Sequence, residues 1–420
     1  MTRLAAGARR RAPGPRPPPS RLARGTAESF MRLALGEAEK GLGRTSPNPP
    51  VGAVLVKGGE VIARGHHARA GGPHAEVVAI RKAGERARGA DLYTTLEPCN
   101  HYGKTPPCTL AILEAGVRRV FVGSRDPNPL VNGHGIGRLR RAGLEVLEGV
   151  LQEACDELAR PWFTFIESGR PFVTLKAAIT LDGFIATRTH DAMWVTGDEA
   201  RAEVHRLRDR VDAVLVGSGT AQADDPQLTT RLPGGRGHHP LRVVLDSRLE
   251  LPRSLRLFDP APGTRTLVAT ISDRRPRLRA GVELLRCRPR GGKVDLTDLL
   301  ARLGARGIAH LLVEGGAKVH SAFLAAGLVD RLVVYVAPKL LLGGTHWLGG
   351  TGPARMSEAT RLERVEVRRV GEDLVVSGSL SGRSGARSSG RAADLPRRAR
   401  RGRGQGDRAG FTLADKHPRG

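Results

Sequence analysis

One histidine and two cysteines, His74, Cys99 and Cys108, constrain this chain more than any other feature. His74 opens the triplet His74-Ala75-Glu76, Cys99 follows Pro98, and Cys108 closes the loop Asn100-His101-Tyr102-Gly103-Lys104-Thr105-Pro106-Pro107. One imidazole and two thiolates make a three-ligand tetrahedral zinc site, which keeps its fourth position for water. A fold that brings them to one atom must aim a strand end and two helix starts at one cavity. The pattern provides these: a strand at Leu92–Leu96 runs into Glu97-Pro98-Cys99, and helices open near His74 and at Cys108. A helix N-terminus favours thiolate at Cys108. Glu76 shares the first helical turn with His74, placed to carry protons rather than to bind metal.

The rest of the first half alternates in the same way. Phe30, Leu33, Ala34 and Ala38 recur at helical spacing from Glu28, and Gly41 and Gly43 stop that helix. Val51–Val56 reads as a strand, turned by Gly58-Gly59 into a second near Val61-Ile62. The helix from His74 is expected to reach Arg88, and that from Cys108 to end near Gly116. A strand at Val117–Val122, a helix near 134–142 and a strand near 144–149 complete a layered α/β domain. Leu151–Glu167 reads as a connecting helix, closed by Gly169-Arg170-Pro171.

A second α/β pattern follows. Strands are expected at Phe172–Ile179, Val211–Val216, Leu241–Leu245, Thr266–Ala269, Ile308–Val313 and Leu332–Val336, with two more near 362–369 and 373–379. Helical stretches fall near 198–208, 295–304 and 317–326. The expected organisation is a disordered Arg/Pro-rich extension over 1–27, a zinc domain over 28–150, a linker helix over 151–170, a second domain over 171–380 and a disordered Arg/Gly-rich tail over 381–420.

The net charge of +26 invites a nucleic-acid reading, but over half of it sits in the two tails, which cannot bury a core. With only 15 aromatics and none interleaved with basic residues in the first domain, an RNA- or DNA-editing enzyme has little to stack bases on. Weak binding through the basic tails is the non-enzymatic alternative. Prolines at 13, 15 and 17–19 break the helix a transit peptide needs, and no run of 18 apolar residues marks a membrane span. Four cysteines, two of them in the metal site, fit a reducing cytosol. A cytoplasmic enzyme without specific nucleic-acid or membrane partners is expected.

The ligand set with its carboxylate is the arrangement of a zinc deaminase, in which water attacks an amino-bearing ring carbon. Asn48, fixed between Pro47 and Pro49, is suited to a nucleobase-like ring edge. His67, His101, Lys104 and Asp126 lie in loops of the same domain. The strings Thr45-Ser46-Pro47-Asn48-Pro49, Pro73-His74-Ala75-Glu76-Val77, Thr95-Leu96-Glu97-Pro98-Cys99, Gly103-Lys104-Thr105-Pro106-Pro107-Cys108 and Asp126-Pro127-Asn128-Pro129 resemble the bifunctional riboflavin-biosynthesis deaminase–reductases. The long loop between the cysteines separates this family from deaminases with Pro-Cys-x-x-Cys. The resemblance implies a cytidine-deaminase-like three-layer domain. It also implies a phosphorylated ribosylaminopyrimidine substrate met by Asn48, His67, Lys104 and Asp126; His101 is counted with them. Glu76 would be catalytic, and one zinc per chain is expected.

No Gly-x-Gly-x-x-Gly follows a strand in the second half. Polar and glycine clusters at strand ends do occur, and Gly315-Gly316 before a helix lets backbone amides approach a phosphate. Lys176-Ala177-Ala178-Ile179-Thr180-Leu181-Asp182-Gly183, Trp194-Val195-Thr196-Gly197, His205-Arg206-Leu207-Arg208, Ala223-Asp224-Asp225-Pro226 and Val313-Glu314-Gly315-Gly316 resemble the reductase half of the same family. That implies a dihydrofolate-reductase-like fold that uses NADPH. Carried over by position, the cofactor residues are Ala178, Trp194, Thr220, Asp224, Ser247, Gly316, Ala317, Lys318, Val319, His320, Ser321 and Ala322. The substrate residues are Arg208, Leu228, Arg231 and Glu314, with Lys176 and Asp224 as candidates for polar assistance. Ala192 stands where the family often has a substrate-contacting serine, and Ala159 where an asparagine is common. A homo-oligomer is the expected assembly.

Overall fold

Strand β1 (Gly52–Lys57) shows why the first sheet is covered on both sides. Ala53 and Leu55 enter one apolar cluster and Val54 and Val56 another, as the two-residue period of a strand requires. All four are essentially inaccessible to solvent, and a fully buried Leu or Val contributes roughly 1.5–3 kcal/mol. The computed structural model describes residues 21–235, 237–260 and 262–380, with side chains from residue 27 onward. The expected tail 381–420, and residues 1–20 of the expected extension, lie outside the described residues.

Around β1 stand α1 (Arg21–Glu39), β2 (Glu60–His66), α2 (Ala75–Ala83), β3 (Asp91–Leu96), α3 (Cys108–Glu114), β4 (Arg119–Ser124), α4 (His134–Arg141), β5 (Glu145–Glu148) and α5 (Gln152–Ser168). The sheet order is β2-β1-β3-β4-β5. Strand β1 runs antiparallel to both neighbours, while β3, β4 and β5 are parallel. Helices α2, α3 and α4 cover one face through Ala79, Ile112 and Leu139. Helices α1 and α5 cover the other through Met31, Ala34 and Cys155. This is the expected three-layer domain. Helix α1 begins at Arg21, ahead of the expected start at Glu28, and Ala27 is already buried. Helix α2 stops at Ala83 because Gly84 turns to φ 57°, so the stretch expected to reach Arg88 finishes as a 3₁₀ turn.

The second domain comprises β6 (Phe172–Thr180), β7 (Phe184–Ala186), α6 (Asp198–Arg210), β8 (Ala213–Gly217), α7 (Ser218–Asp224), β9 (Leu241–Leu245), β10 (Thr266–Thr270), β11 (Val282–Arg286), β12 (Pro289–Arg290), β13 (Lys293–Val294), α8 (Leu296–Ala305), β14 (His310–Val313), α9 (Ala317–Ala325), β15 (Arg331–Ala337), β16 (Thr345–His346), β17 (Leu362–Val370) and β18 (Asp373–Leu380). Nine of the strands form one sheet in the order β11-β10-β9-β8-β14-β6-β15-β18-β17. It is parallel from β11 to β15, then antiparallel through β18 and β17. Parallel strands place their C-terminal ends at one edge, where ligands of open α/β sheets bind. Strand β17 ends the sheet and is exposed along nearly its whole length, including Val365 (52%) and Val367 (63%). Helix α7 and strand β11 are additions to the sequence pattern. The first falls in a Gly/Ser cluster read as a turn, and the second, Val-Glu-Leu-Leu-Arg, is too short to stand out.

Candidate functional site

His74 is the N-cap of α2, with extended backbone, and Glu76 lies in the first turn behind it. The fully buried strand β3 delivers Cys99 through Glu97-Pro98. The Glu97 carboxylate accepts backbone N–H groups of Gly133 (3.0 Å), Gly135 (3.0 Å) and Ile136 (3.1 Å). It thereby ties the Pro98-Cys99 turn to the start of α4. A Cβ on Gly135 would sit 1.9 Å from the Pro98 carbonyl oxygen, so glycine alone allows that approach. Cys108 is the first residue of α3.

These elements bring His74 Nδ1 to 3.1 Å from Cys108 Sγ and 3.5 Å from Cys99 Sγ, and the three donor atoms lie within 4.8 Å of one another. Tetrahedral zinc with ordinary bond lengths has N···S edges of about 3.6 Å, so the donors fit that ion in kind and spacing. The Cys99 thiol is pulled down to about 4 by the hydrogen bond from Cys108 and, against burial, by His74. Cys108 is pushed well up by its bond to Cys99 and by burial. Glu76, 3.5 Å from Cys108 Sγ, is raised to about 6 by burial, against the pull of His74.

His74, Glu76 and Cys99 open into a cavity of about 270 Å³, with Cys108 buried behind them. Asn48, His67, His101, Lys104 and Asp126, all five expected substrate residues, line it. His67 Nδ1 donates to the Pro73 carbonyl (3.1 Å), which leaves Nε2 to accept from the Asn48 amide (3.2 Å). Burial holds the ring's pKa below its ordinary value, in keeping with a neutral acceptor. Asp126 accepts from Trp162 Nε1 (3.0 Å) and from the Asn128 N–H (2.9 Å), while burial raises its pKa. Lys104 is an exposed rim residue. Trp162 and Glu97, which line the cavity too, had no role in the sequence reading. Glu97 stands in a quoted string, whereas nothing local marks Trp162.

In the second domain, Arg208 of α6 makes a two-pronged ion pair with Glu314 after β14, at 2.7 and 2.8 Å. Burial alone would raise the Glu314 carboxyl, but the Arg208 guanidinium, with Lys176 and His205, holds it at about 2. Lys176 is pushed below the usual lysine range by burial and by Arg208, against the pull of Glu314. His205, also missed, is driven down to about 4 by burial, Arg208 and Arg231. Thr220 Oγ1 accepts the Gly316 N–H at 2.8 Å, which joins two expected cofactor residues at the adjacent ends of β8 and β14. Helix α9 opens there with Ala317 and carries Lys318, Val319, His320, Ser321 and Ala322. His320 is buried edge-on to Trp347, and burial drives its pKa down to about 4.

Other expected residues are more dispersed. Ser247 follows β9, and its hydroxyl accepts the Val294 N–H (3.2 Å). Ala178 lies in β6, packed against the cluster around Tyr335. Trp194 is exposed and stacked against Arg201, and Ala192 precedes it in the same loop. Asp224 ends α7 with an exposed side chain. The Leu228 side chain belongs to an apolar core, so its backbone is what it can offer a ligand. Arg231 bonds Gln227 at 3.3 Å.

A zinc-type deaminase site on a three-layer domain, joined to a second α/β domain with its own polar site, defines a bifunctional deaminase–reductase. Residues 24–124 match the family model for the cytidine and deoxycytidylate deaminase zinc-binding region, and residues 171–376 match the RibD C-terminal domain. The riboflavin biosynthesis protein RibD of Actinobacillus pleuropneumoniae is 43% identical over 354 residues, 83% of this chain and 93% of that protein. That of Escherichia coli strain K12 is 39% identical over 359 residues, 83% and 97% of the two chains. The crystal structure of a Thermotoga maritima diaminohydroxyphosphoribosylaminopyrimidine deaminase/5-amino-6-(5-phosphoribosylamino)uracil reductase shares 40% identity, covers 85% of this chain and 99% of its own, and superposes with a TM-score of 0.76. Acinetobacter baumannii RibD gives 36%, 86%, 100% and 0.76. The chain belongs to the RibD family of riboflavin biosynthesis.

Proposed function

We propose that the protein hydrolyses the exocyclic amino group of 2,5-diamino-6-(5-phosphoribosylamino)pyrimidin-4(3H)-one and then reduces the ribosyl group of the product to ribityl. The observation that carries the first step is the convergence of His74, Cys99 and Cys108 beside buried Glu76 at one cavity. One zinc per chain fits three donors, and when bound it supplies the Lewis acidity that makes a water nucleophilic near neutral pH. Glu76 takes the proton from the attacking water and returns it to the departing nitrogen, which leaves as ammonia. Asn48, oriented by His67, reads the pyrimidine edge. Asp126 faces the same ring, and Lys104 at the rim meets the phosphate.

For the second step, NADPH is the hydride source when bound. The start of α9, where Ala317 and Lys318 follow Gly316, is suited to its phosphates. Arg208 and Arg231 suit the substrate phosphate. As hydride reaches C1′ the bond to the ring oxygen breaks, and that oxygen takes a proton. Burial beside Glu314 supports Lys176 as its donor over the exposed Asp224. Exposed Leu340 and Leu342 support a self-associated form, which sedimentation would test.

Incubating the purified chain with zinc, NADPH and the diaminopyrimidine ribosylamine phosphate tests the reading. Ammonia is expected first, and NADPH oxidation only after it. Absence of ammonia, or NADPH oxidation that does not need deamination, would overturn the proposed order.

A further inference from the structure

Two walls of the deaminase cavity are held by residues outside the deaminase domain. One wall is the loop Thr45–Pro49, which carries Asn48 and is closed by the Asn48 N–H on the Thr45 carbonyl (2.8 Å). At its base, Arg44 Nη2 reaches both carboxylate oxygens of Asp209, in α6 of the second domain, at 3.0 Å. Ser46 faces the buried Asp212 carboxylate across one small cavity and draws its pKa down against burial. Asp212 is itself fixed by the N–H groups of Ala309 (2.8 Å) and His310 (2.9 Å), at the start of β14. Just before Arg44, Gly43 at φ 71° passes so close that a Cβ would lie 2.4 Å from the Asp209 carbonyl oxygen. The other wall is Asp126, whose Oδ1 accepts from the indole of Trp162 in the linker helix. That helix is clamped to the second domain by Glu157 and Arg331 (2.7 Å).

These contacts do not touch the second active site, and neither Arg44 nor Ser46 enters an apolar core of the first domain, whereas Trp162 packs with Leu96, Ala159 and Phe163 as well as bonding Asp126. What they share is their place: one ends on Asp126 and the others hold the loop that carries Asn48, both residues that the proposed function assigns to the pyrimidine. We infer that Arg44, Ser46 and Trp162 are positioning residues for deamination, through which the second domain and the linker fix Asn48 and Asp126 in the substrate wall. Because Pro47, Pro49 and Pro50 stiffen the loop, anchoring one end fixes the whole. An unanchored wall must be ordered by the substrate, which costs affinity and leaves chemistry at Glu76 intact.

The inference rests on the proposed substrate contacts, so its test has one arm that needs no substrate. Full-length, zinc-loaded Arg44→Met, Ser46→Ala and Trp162→Phe variants are compared with the parent for deamination, and for reduction of the deaminated intermediate. The KM for deamination should rise about three- to tenfold in each. The kcat should stay within about twofold and the reductase be unchanged, and Arg44→Lys should recover part of the KM. In the substrate-free arm, amide hydrogen exchange across residues 44–51 should quicken in Arg44→Met and Ser46→Ala, while β1 stays protected. An unchanged KM, equal losses in both activities, or unchanged exchange in the loop would each sink the inference. A parent protein that exchanges as described but releases no ammonia would instead refute the proposed substrate.

Discussion

At the scale of single residues, two carboxylates have their properties set by opposite surroundings. Glu76 is raised to about 6 by burial, which suits a group that must both accept and return a proton near neutrality. Glu76→Gln keeps the shape but cannot shuttle protons. Ammonia release should fall at least ~100-fold, while NADPH oxidation on the deaminated intermediate continues; parallel assays of the two steps check this. Glu314 is held at about 2 by Arg208 despite its burial. A folded pKa below the unfolded one stabilises the protein above the unfolded value, near 4.5, and that stability is lost as pH falls toward the folded one. The stability gap between the parent and Glu314→Gln should therefore close by roughly 2 kcal/mol between pH 5 and pH 3 in denaturant melts. A gap that does not vary with pH would show that the ion pair leaves this carboxyl's titration untouched.

Among the elements, the start of α4 has a use beyond packing. Its first amides end on Glu97, just before the Pro98-Cys99 turn, so the helix holds in place an expected metal ligand that it does not carry. Glu97→Gln weakens that tether, and zinc affinity should fall about tenfold in competition with a chelating dye, with reductase activity unaffected. This is also the scale at which the sequence stops being readable. His74, Glu76, Cys99 and Cys108 could be found because each sits just past a strand end or at a helix start that local spacing marks, and the five residues expected at the substrate, read from loops of the same domain, line one cavity. Trp162 could not, because the proton it donates goes to a residue 36 positions away in another element. Nor could Arg44 and Ser46, whose partners stand across the domain boundary, beyond the reach of periodicity or capping rules. The early start of α1 was hidden by a composition of Arg, Ala and Gly that reads as tail.

For the molecule as a whole, two sites with separate chemistries on one chain should separate under chelation. Stripping zinc with dipicolinate should stop ammonia release and spare reduction of the deaminated intermediate. Losing both would show that the metal also supports the second domain. The described helix fixes where the chain can be shortened: removal of residues 1–20 and 381–420 should leave both activities, whereas a cut after residue 27 takes buried Ala27 from the first core and should lower the melting temperature. None of the helices among the described residues is long and apolar enough to cross a membrane. The outer strand β17 sets a condition on handling the protein. Its free edge interleaves Val365 and Val367 with Arg364, Glu366, Arg368 and Arg369, and charges of this kind discourage an open strand from pairing with other chains. Salt shortens the reach of those charges, to about 3 Å at 1 M, so purification in high salt removes the guard from the edge while leaving its valines exposed.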